Sequence, residues 1–439
     1  MPCACFLLLS LAPAAVKADG DEQLPPDALF RYVARAEPDF DWKIIDRGDG
    51  EAGRYLEVAL TSQRWHDIVW KHALLICEPE TLAFPNHVLL LVSGGSTGKR
   101  PSDKDVELGM QLARLCGARV AVLYQVPNQP LLGDRKEDDL ITETWLRYLD
   151  TGDDTWPLLF PMVKSAVKAM DAIEQVAEAE WKQPVKGFVM TGASKRGWTS
   201  WLTPAADRRV IATAPLVIDV LNFLPQMQHQ LDSWGQYSEQ INDYTSKGLV
   251  KTAEEETPRD TLLRRMMDPY GYRKRLTLPK LLVNGTNDRY WVVDAMKLYW
   301  DDLEGQKSAL FIPNAGHDLE GGRELVYRTI AAFFRHACRE RPLPVLKWTN
   351  TRTADAIRFT VTASAPPKAA RLWTARSPED RDFRDEHWTA EPLHAESETY
   401  RATIAPPEAG HVAYYCELEF ESDGLTYSLT TLIHVEPAK

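Results

Sequence analysis

The chain is poor in cysteine, has no excess of positive charge and contains no apolar run long enough to cross a bilayer. Its 439 residues include six cysteines, none in C-x-x-C spacing. That is too few for a disulfide framework, and it removes the usual thiol-redox and zinc-ribbon patterns. Lys and Arg number 51 against 63 Asp and Glu, a net charge of -12 spread along the chain rather than massed in a tail. This balance argues against nucleic acid or an anionic membrane as the main partner. No H-E-x-x-H or other metal spacing occurs, so neither a metal nor a cofactor is implied. The run Ser93-Gly94-Gly95-Ser96-Thr97-Gly98 approaches a phosphate-binding loop but fails. That motif requires glycine where Ser93 stands, and Lys99 is followed by Arg100.

What remains is an ordinary globular composition, 44% hydrophobic and 26% charged. The length is more than one core comfortably serves, which suggests two domains. Ala4 to Val16 is apolar and ends in Val16-Lys17-Ala18, the small-residue pattern of a signal-peptidase site, although no Lys or Arg precedes it. A signal peptide over residues 1–18 is the expectation, with a secreted or periplasmic protein. Its removal takes Cys3 and Cys5 and leaves Cys77, Cys116, Cys338 and Cys416.

From Tyr55 the sequence alternates strand and helix signals. Tyr55–Leu60 and Asp67–Ile76 read as an antiparallel pair of strands, and His87–Val92 as a strand buried on both faces. Val106–Leu115 has helical spacing, Ala118–Tyr124 is another buried strand, and Asp139–Leu149 reads as helix. From Met162 to Ala177 apolar residues recur at three and four, marking a long amphipathic helix. Strands follow at Val185–Met190, Val210–Ile218, Lys280–Asn284 and Ser308–Ile312, with helices at Val292–Leu303 and Arg323–Cys338. This order predicts an α/β fold over 19–342, a mostly parallel sheet of the α/β-hydrolase type. Residues 219–278, rich in Trp and Tyr, are expected to form a helical cap inserted above it. Beyond Pro344 the apolar period shortens to two, in Ile357–Val361, Arg371–Trp373, Tyr400–Ile404, Val412–Phe420 and Tyr427–Val435, so 345–439 is expected to be an all-β sandwich.

The chemistry centres on Thr191-Gly192-Ala193-Ser194-Lys195-Arg196-Gly197, where a strand turns sharply into a helix. A serine on such a turn is held with its hydroxyl exposed, as in a nucleophile elbow. The usual G-x-S-x-G is here G-x-S-x-x-G, one residue longer. A serine nucleophile needs a base and a group that orients the base, supplied in this fold in the order Ser, acid, His from later strand ends. Asp288 follows the Lys280 strand and His317 follows the Ser308 strand. Asp294 is the second candidate for the acid, placed lower because it falls in a helical pattern. Oxyanion donors are expected from the amide of Lys195 and from the Gly94-Gly95 loop. Lys195 and Arg196 are candidates for binding a substrate carboxylate or supporting the oxyanion. Arg135, Glu137, Asp138 and Asp139 read better as a structural charge cluster. Asn284-Gly285-Thr286 matches a glycosylation sequon but falls at a buried strand end.

Several phrases together resemble one family. They are Gln125-Val-Pro-Asn-Gln-Pro130, Arg135-Lys-Glu-Asp138, Gly192-Ala-Ser-Lys-Arg-Gly-Trp198, Asp268-Pro-Tyr-Gly-Tyr272, Pro313-Asn-Ala-Gly-His317 and Arg381-Asp-Phe-Arg384, with the helix Pro161 to Asp171. The chain resembles the PhoPQ-activated pathogenicity-related protein family, with a likeness extending over nearly everything past the leader. The resemblance implies an α/β-hydrolase fold, a secreted or periplasmic setting, and Ser194, Asp288 and His317 as catalytic triad. The expected activity is hydrolysis of an ester or amide in a small-molecule or peptide substrate. The competing expectation is a catalytically silent binding or signalling protein on the same scaffold. No protein partner is identified.

Overall fold

The computed structural model describes residues 26–50, 53–396 and 398–438. The leader expected at 1–18 lies outside the described residues. A short helix, α1 (Ala28–Ala34), precedes three antiparallel strands, β1 (Asp41–Gly50), β2 (Gly53–Trp65) and β3 (Ile68–Pro79). β1 was not legible as a strand: it lies at the sheet edge, and none of its side chains is fully buried. Then come β4 (His87–Val92), α2 (Asp103–Cys116), β5 (Arg119–Leu123), α3 (Glu137–Thr151), α4 (Leu159–Val176), β6 (Gly187–Ala193), α5 (Lys195–Ala206) and β7 (Val210–Leu216). The strand order β1-β2-β3-β5-β4-β6-β7, with parallel pairing from β5 onward, continues through β8 (Lys280–Gly285) and β9 (Lys307–Ile312). One antiparallel strand beside a swapped pair and then a parallel run is the α/β-hydrolase order.

The apolar strands are buried on both faces, as their composition predicts. Val88, Leu90 and Val92 of β4 join a core built with α4 and α5, while Leu89 between them joins the opposite core with α2 and α9 (Arg323–Cys338). Phe188 and Met190 of β6 divide from Val189 in the same way. This is the period of two along a strand, with a helical layer on each side. α2 starts at a capping box of Ser102 and Asp105 and stops at Gly117, whose φ of 65° is the left-handed cap that glycine adopts without strain.

The insertion 219–278 is helical: α6 (Phe223–Trp234), α7 (Asn242–Thr245), α8 (Pro258–Met267) and two 3-10 segments, Glu239–Ile241 and Pro269–Arg275. One expected helix is absent. Residues 292–303 form turns around a 3-10 segment, Ala295–Leu298. Their carbonyls are taken by side chains from elsewhere: Asn222 donates to Leu298 and Lys307 to Trp300 and Leu303. Amides of a continuing helix are therefore not needed to satisfy them.

Past Pro344 the chain is antiparallel. β10 (Leu346–Arg352) and β11 (Ile357–Ala363) form one sheet with β14 (Ala395–Glu396) and β15 (Thr399–Ile404). β12 (Ala369–Ser377), β13 (Thr389–Pro392), β16 (His411–Ser422), β17 (Leu425–Thr430) and β18 (His434–Pro437) form the other. Ile357, Phe359 and Val361 of the first sheet share a core with Val412, Tyr414 and Leu418 of the second. The strand expected over 427–435 is two, because β17 pairs with the far half of β16 and β18 with its near half. Thr430 of β17 also pairs with Ala309 of β9, so this sheet extends the central one. Among the described residues no helix is long and apolar enough to cross a membrane.

Candidate active site

Ser194 stands between β6 and α5 with φ 56° and ψ -125°, a left-handed conformation that costs a non-glycine residue about 1–3 kcal/mol. Its surroundings hold it there. Its amide donates to Leu216 O and its carbonyl accepts from the Trp198 amide, both at 2.9 Å. The two flanking glycines are required by close approach. A Cβ on Gly192 would lie 2.7 Å from Arg196 O, and one on Gly197 would lie 2.6 Å from Ile218 Cγ2. The second small residue is therefore needed at 197, which explains G-x-S-x-x-G and frees position 196 for a long side chain.

That side chain turns away from the nucleophile. The Arg196 guanidinium donates to both Glu137 carboxylate oxygens at 2.7 Å and to Val126 O at 2.6 Å. It occupies the space over Gly94, where a Cβ would meet Nη2 at 2.5 Å. Burial pushes the Glu137 carboxyl up, but Arg196 more than offsets this and holds it below the usual range. Arg196 is thus paired with Glu137 rather than aimed at Ser194. Gly95, at φ 110°, has open space where a Cβ would stand, and neither Gly94 nor Gly95 lines the cavity beside Ser194.

The loops after β8 and β9 carry Asp288 and His317, and they are bound to each other. The Asn287 amide donates to Ala315 O at 2.9 Å, and the Asn314 amide donates to Thr286 Oγ1 at 2.9 Å. Gly285 permits this, since a Cβ there would lie 2.3 Å from Ala315 O. The three sequence-predicted residues come together in a row. His317 Nε2 is 2.9 Å from Ser194 Oγ, and His317 Nδ1 is 2.8 Å from Asp288 Oδ2. Asp288 is buried, and its other oxygen accepts from the Tyr290 amide at 2.9 Å. Asp294, the other acid candidate, is committed elsewhere. It is buried against His229 at 2.8 Å, Arg381 at 2.5 Å and Lys297 at 2.6 Å. The sequon residue Asn284 is also buried and donates to Asp219 at 3.2 Å.

Sequence reasoning missed much of the surrounding wall. Ser194 and His317 open into a narrow cavity lined by Trp198, Ile218, Phe223, Met227, Ile241 and Trp291, several of them from the helical insertion. The space open to the centre of a water-sized sphere is about 30 Å³. One polar feature interrupts the apolar lining. Lys195 Nζ lies 2.6 Å from Asp138 Oδ2, whose other oxygen accepts from Tyr244 OH at 2.9 Å. Burial alone lowers the Lys195 pKa, but the Asp138 charge, with Tyr290 and Glu137 behind it, leaves it raised. Tyr290 closes the far side, its ring 4.3 Å from that of His317. Asp138 had been read as part of a structural charge cluster, and its contact with Lys195 spans 57 residues of chain. No local signal announces such a pairing.

The profile of the PhoPQ-activated pathogenicity-related protein family matches residues 29–384. The autocrine proliferation repressor protein A of Dictyostelium discoideum is 30% identical over 449 aligned positions, covering 94% of this chain and 88% of that protein. Among solved structures, acetyl xylan esterase 1 from Thermoanaerobacterium sp. JW/SL YS485 superposes with a TM-score of 0.48 at 15% identity, over 70% of this chain and 94% of that one. The acetyl xylan esterase from Paenibacillus sp. R4 gives 0.49 at 13% identity, over 70% and 92%.

Proposed function

The chain belongs to the PhoPQ-activated pathogenicity-related protein family, and from that premise and the geometry around Ser194 we propose that it is a serine hydrolase cleaving a short-chain acyl ester or amide. The observation that carries this reading is the continuous row Ser194–His317–Asp288, at 2.9 and 2.8 Å. Ser194 Oγ attacks the carbonyl carbon while His317 Nε2 takes its proton. Asp288, accepting from Nδ1, fixes the tautomer and stabilises the imidazolium. The tetrahedral intermediate collapses when the leaving oxygen or nitrogen departs with the proton from His317, leaving Ser194 acylated. Water, deprotonated by the same imidazole, then attacks the acyl carbon and restores Ser194 as the acid product leaves.

The negative oxygen needs donors already in place. The Lys195 amide is the first, since an amide in the first turn of a helix has no intrahelical acceptor. The loop 93–98 beside β6 is the proposed source of the second. The small apolar cavity favours a short acyl group. Residues 1–18 add a proposed export signal, tested by sequencing the amino terminus of the protein recovered from its native host. An N-terminus at Asp19 is expected, and one at Met1 or Pro2 would end that proposal.

A fluorophosphonate probe is expected to label Ser194 in the full chain and to fail on Ser194→Ala. Folded protein that resists the probe and turns over no p-nitrophenyl acetate would overturn the reading. One observation supports a second reading, a signalling protein without catalysis: the relative's name describes a proliferation repressor. On that reading Ser194→Ala retains full biological activity, whereas the hydrolase reading requires its loss.

A further inference from the structure

His317 and Tyr290 stand between two cavities of unequal size and opposite character. On the Ser194 side is the narrow apolar space of about 30 Å³. On the other is an open cleft of about 530 Å³, measured in the same way, lined by polar and charged side chains. Residues 384–387, in the segment between β12 and β13, form one wall of it. The other wall comes from the acid and histidine loops.

Resting on the hydrolase reading, we propose that this cleft is the leaving-group subsite, that it takes a neutral polyhydroxylated alcohol, and that the substrate is a short-chain acyl ester of a sugar or similar polyol. The placement follows from the chemistry. When the acyl C–O bond breaks, the proton held by His317 goes to the departing oxygen, so the alcohol leaves on the imidazole side. Size supports the assignment, because the cleft is the roomier of the two spaces. Charge decides the class. Both guanidiniums in the cleft are already neutralised: Arg289 by Asp385 and Glu239, Arg384 by Asp382 at 2.6 Å and Glu239 at 3.0 Å. Carboxylate partners already beside each disfavour a further carboxylate or phosphate there. Gln240, Glu320, Glu386 and His387 intersperse donors with acceptors around the same space, which suits hydroxyl groups that do both at once.

The segment carrying this wall is fastened to the catalytic loops. The Asn287 amide group donates to the carbonyls of Phe383, Arg384 and Glu386 at 3.2, 3.2 and 2.8 Å. Arg384 also lies over the Trp234 ring of the helical insertion at 4.1 Å. The C-terminal β-structure thus supplies a recognition surface for the reaction.

The test compares kcat/KM of the full chain for ethyl acetate, 6-O-acetylglucose and an aminoacyl p-nitroanilide, beside Glu386→Gln and His387→Ala. 6-O-Acetylglucose is expected to exceed ethyl acetate by about tenfold or more, and each variant is expected to lower that ratio several-fold, the effect of one lost hydrogen bond. Equal values for the two acetates, with p-nitrophenyl acetate still turned over, would overturn the subsite and leave the hydrolase reading standing. A preference for the anilide would overturn it in favour of an amine leaving group. Loss of all turnover and of Ser194 labelling in the wild-type chain would remove both.

Discussion

Asn314 and Trp388 hold each other by a reciprocal pair of hydrogen bonds: the Asn314 side chain donates to Trp388 O at 3.0 Å and accepts from the Trp388 amide at 2.8 Å. Asn314 lies three residues before His317, and Trp388 is buried among Phe383 and Tyr415 of the C-terminal part. With Asn287 beside Asp288 gripping the same segment, both loops that complete the row from Ser194 rest on one foreign stretch of chain.

Asn314→Ala removes both bonds at once, a loss of about 1–3 kcal/mol. With p-nitrophenyl acetate, kcat is expected to fall about tenfold with little change in KM, because the side chain positions the proposed base, His317, rather than the substrate. The rate of fluorophosphonate labelling is expected to fall in parallel. A lower melting temperature with unchanged kcat would reduce the tie to a purely structural one.

Gly94→Ala places a methyl group against the Arg196 guanidinium, which Glu137 and Val126 hold in place. Overpacking of this kind costs about 1–3 kcal/mol. In an Arg196→Ala background the same change is expected to cost much less, because the clash has gone. Urea unfolding of the four proteins gives the coupling, and additive losses would contradict it.

Asp138→Asn leaves the Lys195 ammonium, whose side chain is 11% exposed, without its counter-ion. The expected destabilisation is about 3 kcal/mol. In the wild-type protein the raised Lys195 pKa contributes stability that is complete below about pH 10.5 and fades as pH climbs through the folded-state value. Melting temperatures from pH 8 upward are expected to converge for the two proteins at the alkaline end. A constant gap would contradict the assignment.

Asp219 is buried, hydrogen-bonded to Tyr299 and to Asn284 of β8, and burial pushes its carboxyl up to about 7. The folded state therefore keeps this proton over a range in which the unfolded chain, near 3.8, has released it. Stability from this group falls as pH rises from about 4 to about 7, at about 1.4 kcal/mol per pH unit. Asp219→Asn lacks that slope. Urea midpoints at pH 4.5, 6 and 8 are expected to move in the variant's favour as pH rises, and parallel curves would refute the assignment.

Met227→Ala enlarges, from the α6 side, the cavity proposed to hold the acyl group. Relative kcat/KM along a series of p-nitrophenyl esters is expected to shift from two- to four-carbon acyl groups toward longer ones. Each methylene is worth about 1 kcal/mol in such a pocket. An unchanged profile would place the acyl group elsewhere.

The helical layers and buried strands were legible because their signal is local: β4, β5 and β6 are continuous apolar runs, and α4 repeats at three and four. Two kinds of element escaped. β1 is a half-exposed edge strand with little apolar bias, and 292–303 has helical spacing but loses its helix to side chains from Asn222 and Lys307. The elbow serine and the two strand-end residues were legible for a related reason, since a tight turn and a strand terminus are marked by their immediate neighbours.

The sequence by itself determined the alternation of strands and helices, the strained turn at Ser194 and the order in which serine, acid and histidine appear. Tertiary structure alone decided that Arg196 belongs to Glu137, that Lys195 belongs to Asp138, and that residues 383–388 lie against the loops of Asp288 and His317. The physical reason is distance along the chain. Periodicity and turn chemistry depend on residues within a few positions, whereas an ion pair or an amide clamp joins segments whose meeting is set by how the sheets close.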